Sequence, residues 1–196
     1  MKSKSAGFDY SEAIRRVCAD MTLRLPEFSH IRLEQVGFSF CRTRNRERFG
    51  VWASMTPLRF EGGAVMIVKD GVSWRIPEVR LRKKEAPLLY IFSVYVPRFI
   101  DLPLLEKIET IAHELYHISE SFNGDIRRFL GRHYAHGSKA AYDRTAARLA
   151  RRWLATDPAP ELWNFLRYDF GGLQQRCGKI VGRKITVPKP VRVDGA

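Results

Sequence analysis

The stretch Ile108-Glu-Thr-Ile-Ala-His113-Glu114-Leu-Tyr-His117-Ile-Ser-Glu120 decides how the rest of the chain is read. Apolar residues at Leu104, Leu105, Ile108, Ile111, Ala112, Leu115 and Ile118 follow helical spacing, so the segment is expected to be a helix with one buried stripe. Pro103 suits an early helical position with Asp101 as a cap, and Asn123-Gly124 supplies a stop. On such a helix, residues four apart differ by about 40° in direction and about 6 Å in height. The rings of His113 and His117 therefore leave from one face, where two neutral imidazoles can share a Zn²⁺ at about 2.0–2.1 Å. Glu114 stands about 100° away, poorly placed as a third ligand but able to lean over the ion. This is the logic of H-E-x-x-H: two ligands, plus a general base for a water acidified by the metal.

Working outward, the totals set bounds. A length of 196 residues suits one domain able to bury its own core without a metal or disulfide. The net charge of +13 and pI near 10.0 draw polyanions, nucleic acid being the usual one. Cys18, Cys41 and Cys177 lie far apart and form no C-x-x-C, as in a reducing cytoplasm, and Cys18 falls on an apolar helix face. The N-terminal residues show no secretory pattern, and the apolar run Pro87–Val96 is too short to cross a bilayer. The expectation is a cytoplasmic monomer with no membrane role.

The elements around the motif give an α+β fold. Residues 9–25 read as an amphipathic helix with Asp9 and Glu12 as a capping box and Pro26 as the stop. Val36–Phe40, Val51–Phe60 and Ala64–Val68 read as strands, with turns at Asn45, Gly62-Gly63 and Asp70-Gly71. Pro87–Val96 has the near-continuous apolar run of a strand buried on both faces. After the motif comes a helix over 138–156, with Tyr142, Ala146, Leu149, Ala150 and Trp153 on its apolar face. A basic extended C-terminal arm follows, suited to an edge strand. The expected architecture is an N-terminal helix, a small, mostly antiparallel sheet, the motif helix and then further helices. Residues 1–8 and 184–196 are the expected flexible ends.

A catalytic zinc has three protein ligands and an open position. The candidates after the motif are Glu120, Asp125, His133, His136 and Asp143. Glu120 lies two turns along from His113, which suits a supporting role or an ion pair with an arginine of the next segment. Of the pair in Arg132-His-Tyr-Ala-His136-Gly137, His136 is the better placed because it opens the next helix, with His133 as the alternative. Tyr134, Tyr142 and His133 are candidates for stabilising an oxyanion.

A helix with H-E-L-x-H, then H-G and an aromatic at the start of a later helix, resembles the SprT-like, Spartan-type zinc metallopeptidases. The matching residues are His113-Glu-Leu-Tyr-His117 and His136-Gly-Ser-Lys-Ala-Ala-Tyr142, within roughly residues 90–145. The resemblance implies a zincin-like fold, Zn²⁺ on His113, His117 and His136, and Glu114 as base in peptide hydrolysis. It also implies a protein or peptide substrate and association with DNA. Many such proteins carry a cysteine-ligated zinc ribbon after the catalytic domain, which three scattered cysteines cannot build.

Three other readings stay open: a non-catalytic nucleic-acid-binding module with a structural zinc, a zinc hydrolase of a non-peptide bond, and a phage-type metallopeptidase without a DNA role. For phosphate contact the candidates are Arg42, Arg44, Arg46 and Arg48 between the first strands, and Arg144, Arg148, Arg151 and Arg152 along one helix face. A further cluster, Arg75, Arg80, Arg82, Lys83 and Lys84, precedes the buried strand. Each set is equally well read as solvated surface.

Overall fold

In a computed structural model, which describes residues 7–43, 50–128 and 139–193, the fold is α+β. The apolar run becomes the middle strand of a three-stranded sheet. This strand, Tyr90–Val96, is buried at every position except Tyr95. In chain order the strands are β1 (Phe8–Asp9), β2 (Val36–Arg42), β3 (Ala53–Pro57), β4 (Met66–Lys69), β5 (Val72–Arg75), β6 (Tyr90–Val96), β7 (Ile180–Val181) and β8 (Val191–Val193). The helices are α1 (Tyr10–Arg24), α2 (Leu104–Tyr116), α3 (Lys139–Ala155), α4 (Pro160–Trp163) and α5 (Phe170–Cys177).

Among the described residues the strands form three small sheets rather than one, ordered β2-β6-β3, β4-β5-β8 and β1-β7, and most of their pairings are antiparallel, as expected. In the central one β2 runs parallel to β6, from Val36 opposite Tyr90 to Arg42 opposite Val96, while β3 runs antiparallel. The reason is the route: the chain makes β3, β4 and β5 before returning to the end where β2 began, and only a long connection permits parallel pairing.

Helix α1 starts where Asp9 accepts a hydrogen bond from the Glu12 amide at 3.1 Å. The Glu12 carboxylate turns outward to Arg15, so the reciprocal half of the capping box is not made. Tyr10, Ile14, Val17, Cys18 and Met21 are buried against the central sheet and α2, and Cys18 is a packing residue.

Of the stripe read from spacing, Ile108, Ile111, Ala112, Leu115 and Ile118 are buried, while Leu104 is half-buried and Leu105 is exposed. The two ends of helix α2 differ from expectation. Pro103 is the cap without a side-chain bond, and Asp101 instead accepts from the Phe170 amide at 2.8 Å. The helix stops at Tyr116, well before Asn123-Gly124. There the His117 carbonyl accepts from the Arg127 amide, at 2.6 Å, and Ile118 pairs with Ile126. The returning chain thus takes the acceptor that another helical turn would have used. Also on α2, Lys107 is 1% exposed, and its Nζ donates to the carbonyls of Leu166 at 2.9 Å and Tyr168 at 2.7 Å.

Helix α3 lays Tyr142, Ala146, Leu149, Ala150 and Trp153 into the core, and the Trp153 ring N–H donates to Asp20 at 2.8 Å. Two of its four arginines are met by acids of this chain, Arg151 by Glu109 at 3.6 Å and Arg152 by Glu27. The stripe offered to a polyanion is narrower than the sequence suggests.

Of the two expected flexible ends, residues 7–8 and 184–193 lie among the described residues and contact the rest of the chain. β1 pairs in parallel with β7, and the Phe40 amide bonds the Arg183 carbonyl at 2.7 Å. A Cβ on Gly182 would meet that of Phe40 at 2.5 Å, so glycine lets the two backbones touch. Ile185 completes a small second core with Leu58, Leu88 and Ile91, and β8 pairs with β5. The β4–β5 hairpin turns at Asp70-Gly71, both at positive φ. The β4-β5-β8 sheet has no fully buried residue, and Met66 and Val68 are exposed.

Candidate metal centre

His113 occupies the last turn of α2 and His117 its C-cap. The four-residue interval brings their ring centroids to 4.8 Å. One ligand atom from each of His113, Glu114 and His117 lies within 4.8 Å of the others, the only such metal-competent group among the described residues. The expected third ligand His136, its alternative His133, and Tyr134 lie outside the described residues.

The electrostatics single out Glu114. It is 7% exposed, and burial pushes its carboxyl up to about 7, against the partly opposing hydrogen bond from the Met55 backbone. Its Oε2 is buried with no hydrogen-bond partner among the described residues. A buried carboxylate oxygen left without a donor costs about 1–3 kcal/mol or more, so the arrangement suits a proton or cation from outside the chain.

Met55 is reached through the sheet. The Trp52 carbonyl accepts from the Tyr95 amide and the Leu58 amide donates to the Leu89 carbonyl, both at 2.9 Å. In antiparallel pairing these alternate positions bond to the neighbour, so Ala53, Met55 and Pro57 turn their backbone groups to the free side of β3. Glu114 takes the Met55 amide there. Pro57 has no amide to offer, which shortens the usable edge.

The first turn of α3 closes over the two imidazoles. The Tyr142 ring stacks on His117 at 4.8 Å and 27°, and meets His113 edge-on at 4.7 Å. Burial, and then the nearby Glu114 charge, raises the Tyr142 phenol's pKa. Asp143 places Oδ1 3.4 Å from His113 Nδ1. A carboxylate on one imidazole nitrogen is the pairing commonly found behind a metal-bound histidine, and it would turn Nε2 toward an ion. We expect Asp143→Ala to weaken zinc binding about 10–100-fold, measured by competition with a chromogenic chelator, with Asp143→Asn recovering part of the loss. Unchanged affinity in the alanine variant would show that the carboxylate does not orient the ring.

Two other acidic candidates are committed elsewhere. Asp125 accepts from the Gly62 and Ile126 amides, each at 2.8 Å, and pairs with Arg128, so neither oxygen is left for a metal. Glu120 pairs with Arg127, whose Nε donates to the Tyr116 carbonyl at 2.9 Å and whose guanidinium lies 4.2 Å over the Tyr116 ring. Glu120 thus braces the segment leaving the helix. Arg42 ends β2 and is exposed, while Arg44, Arg46 and Arg48 lie outside the described residues. Arg80 and Arg82 are paired with Glu78 and Glu85.

Compared with family models, curated proteins and solved structures, the chain matches none. Spacing pointed to His113, Glu114 and His117. The Met55 amide had no side-chain signal to reveal it, and the place of Asp143 beside His113 follows from how α3 docks rather than from its residue type. No helix among the described residues is long and apolar enough to cross a membrane.

Proposed function

We propose that the protein is a zinc-dependent peptidase of SprT-like, zincin type. The observation that carries the reading is Glu114: a buried carboxyl with one unpartnered oxygen, beside two imidazoles of the same helix end. The donor set fits zinc, with His113 and His117 as ligands and His136 as the third. When bound, the ion supplies Lewis acidity toward a carbonyl and lowers the pKa of a coordinated water towards about 7. Glu114 takes the proton from the attacking water and returns it to the leaving nitrogen, a role suited to a carboxyl held near neutrality. On the outer side of β3 the Ala53 amide and the carbonyls of Ala53, Met55 and Pro57 would hold a peptide laid alongside as an added strand, with the scissile bond brought next to Glu114. Burial under Tyr142 keeps bulk water off one side of the imidazole pair.

The test is metal analysis joined to proteolysis. We expect about one zinc per chain, cleavage of an unfolded protein substrate, loss of cleavage with 1,10-phenanthroline and recovery on adding zinc. His136→Ala should lose zinc while His133→Ala keeps it. Full zinc in His136→Ala would move the third ligand elsewhere, and a zinc-loaded protein that cleaves no peptide bond would end the peptidase reading.

A further inference from the structure

The β4-β5-β8 sheet carries a groove of about 640 Å³ that the metal centre does not use. Two aromatic rings line it, Trp74 from the middle strand and Phe60 from the turn leading into the sheet. Ile67 and Val72 give it an apolar wall, and all four side chains are only partly buried. Register places Trp74 directly between Ile67 on β4 and Arg192 on β8, so all three share one face. Lys69 stands across from Val72 on the same face, and Lys189 lines the far side. The one acid in the lining is Asp70, at the hairpin turn. Residues 183–193, which supply β8 and its approach, hold Arg183, Lys184, Lys189 and Arg192 and no acidic residue.

Accessible ring faces flanked by cations match a chain that displays flat bases and carries a phosphate at every step. A duplex satisfies only half of this, because its base faces are already stacked. A purely apolar partner would leave the lysines unused. We propose that this groove binds single-stranded nucleic acid, with a base stacked on Trp74 and the phosphates met by Lys69, Lys189 and Arg192.

The groove is tied to the segment that leaves α2: the amide of Arg59, the residue before Phe60, donates to the Gly124 carbonyl at 3.0 Å, and the Gly62 amide donates to the Asp125 carboxylate at 2.8 Å. The binding itself does not depend on zinc or on the peptidase reading.

Fluorescence anisotropy with labelled oligothymidylate and oligouridylate tests the proposal, in chelator and with Glu114→Gln, so that metal and hydrolysis play no part. Either single strand should bind about tenfold or more tightly than a duplex of equal length, and the tighter one identifies the sugar preferred. Trp74→Ala should weaken binding roughly 5–100-fold, with Trp74→Phe keeping most of it. Lys69→Ala and Lys189→Ala should each flatten the dependence of log K on log salt by about 0.7. These lysines are exposed, so their variants report even if Trp74→Ala disturbs the sheet, which circular dichroism reveals. Equal binding of duplex and heparin, absence of binding, or well-folded variants that bind like the parent would each overturn the proposal. So would a dimer broken by Trp74→Ala, which would make the groove a protein interface.

Discussion

Glu114→Gln should lower peptide hydrolysis by roughly 10²–10⁴-fold, the usual worth of a positioned general base, while zinc content stays that of the parent. Glutamine keeps the shape and can still accept the Met55 amide, but it cannot carry a proton away. The variant also has a signature that needs no substrate. In the metal-free protein, burial holds the Glu114 carboxyl up to about 7, while in the unfolded chain it titrates near its ordinary 4.5. Between those values the folded chain holds the extra proton, so this group's contribution to stability is complete below pH 4.5 and is lost as pH rises through 7. At pH 8 the loss amounts to about 3 kcal/mol. Chelator-treated Glu114→Gln should therefore melt above the parent at pH 8, with the gap closing by about pH 4.5. Retained hydrolysis would remove Glu114 as the base. Loss of zinc together with activity would make it a ligand instead.

Lys107→Met is expected to destabilise the fold by about 3 kcal/mol, because a buried carbonyl and a part-buried one lose their donor. For a chain of this size each kcal/mol is about 2–4 °C in Tm. Its pH dependence has the opposite sign to that of Glu114. Burial lowers the Lys107 ammonium to about 8, against partial support from Asp101 and Asp169, whereas an unfolded lysine titrates at about 10.4. Over that window the unfolded chain holds more protons, so the parent gains stability as pH rises, and the neutral amine keeps its two donors. The gap between parent and Lys107→Met should widen from pH 8 to 10 in denaturant titrations. A constant gap would mean that the ammonium is already well solvated in the fold.

These two residues show what could and could not be read in advance. Helical spacing placed His113, Glu114 and His117 together because the constraint is local: a helix fixes directions within two turns whatever surrounds it. The apolar run of β6 declared its burial for a similar reason. Long-range pairings were hidden. That β2 lies parallel to β6 depends on the route of the intervening chain, and that α2 ends at Tyr116 depends on Arg127 returning to the His117 carbonyl. Lys107 looks like any surface lysine until the carbonyls of Leu166 and Tyr168 are seen to close over it. Asp143 illustrates the middle case, a carboxylate recognisable as part of the site whose role depends on which imidazole nitrogen it faces.

Strands made early in synthesis are completed by strands made late. β1, at residues 8–9, has no partner until residues 180–181 exist, and the β5 ladder at 72–75 waits for 191–193. A nascent chain leaving the ribosome therefore carries an open hairpin bearing exposed Met66 and Val68 from the making of residue 75 until residues 191–193 follow. That sheet is completed only once residues 191–193 have emerged, and release before residue 190 would yield a product inclined to pair the unfinished edge with its neighbours.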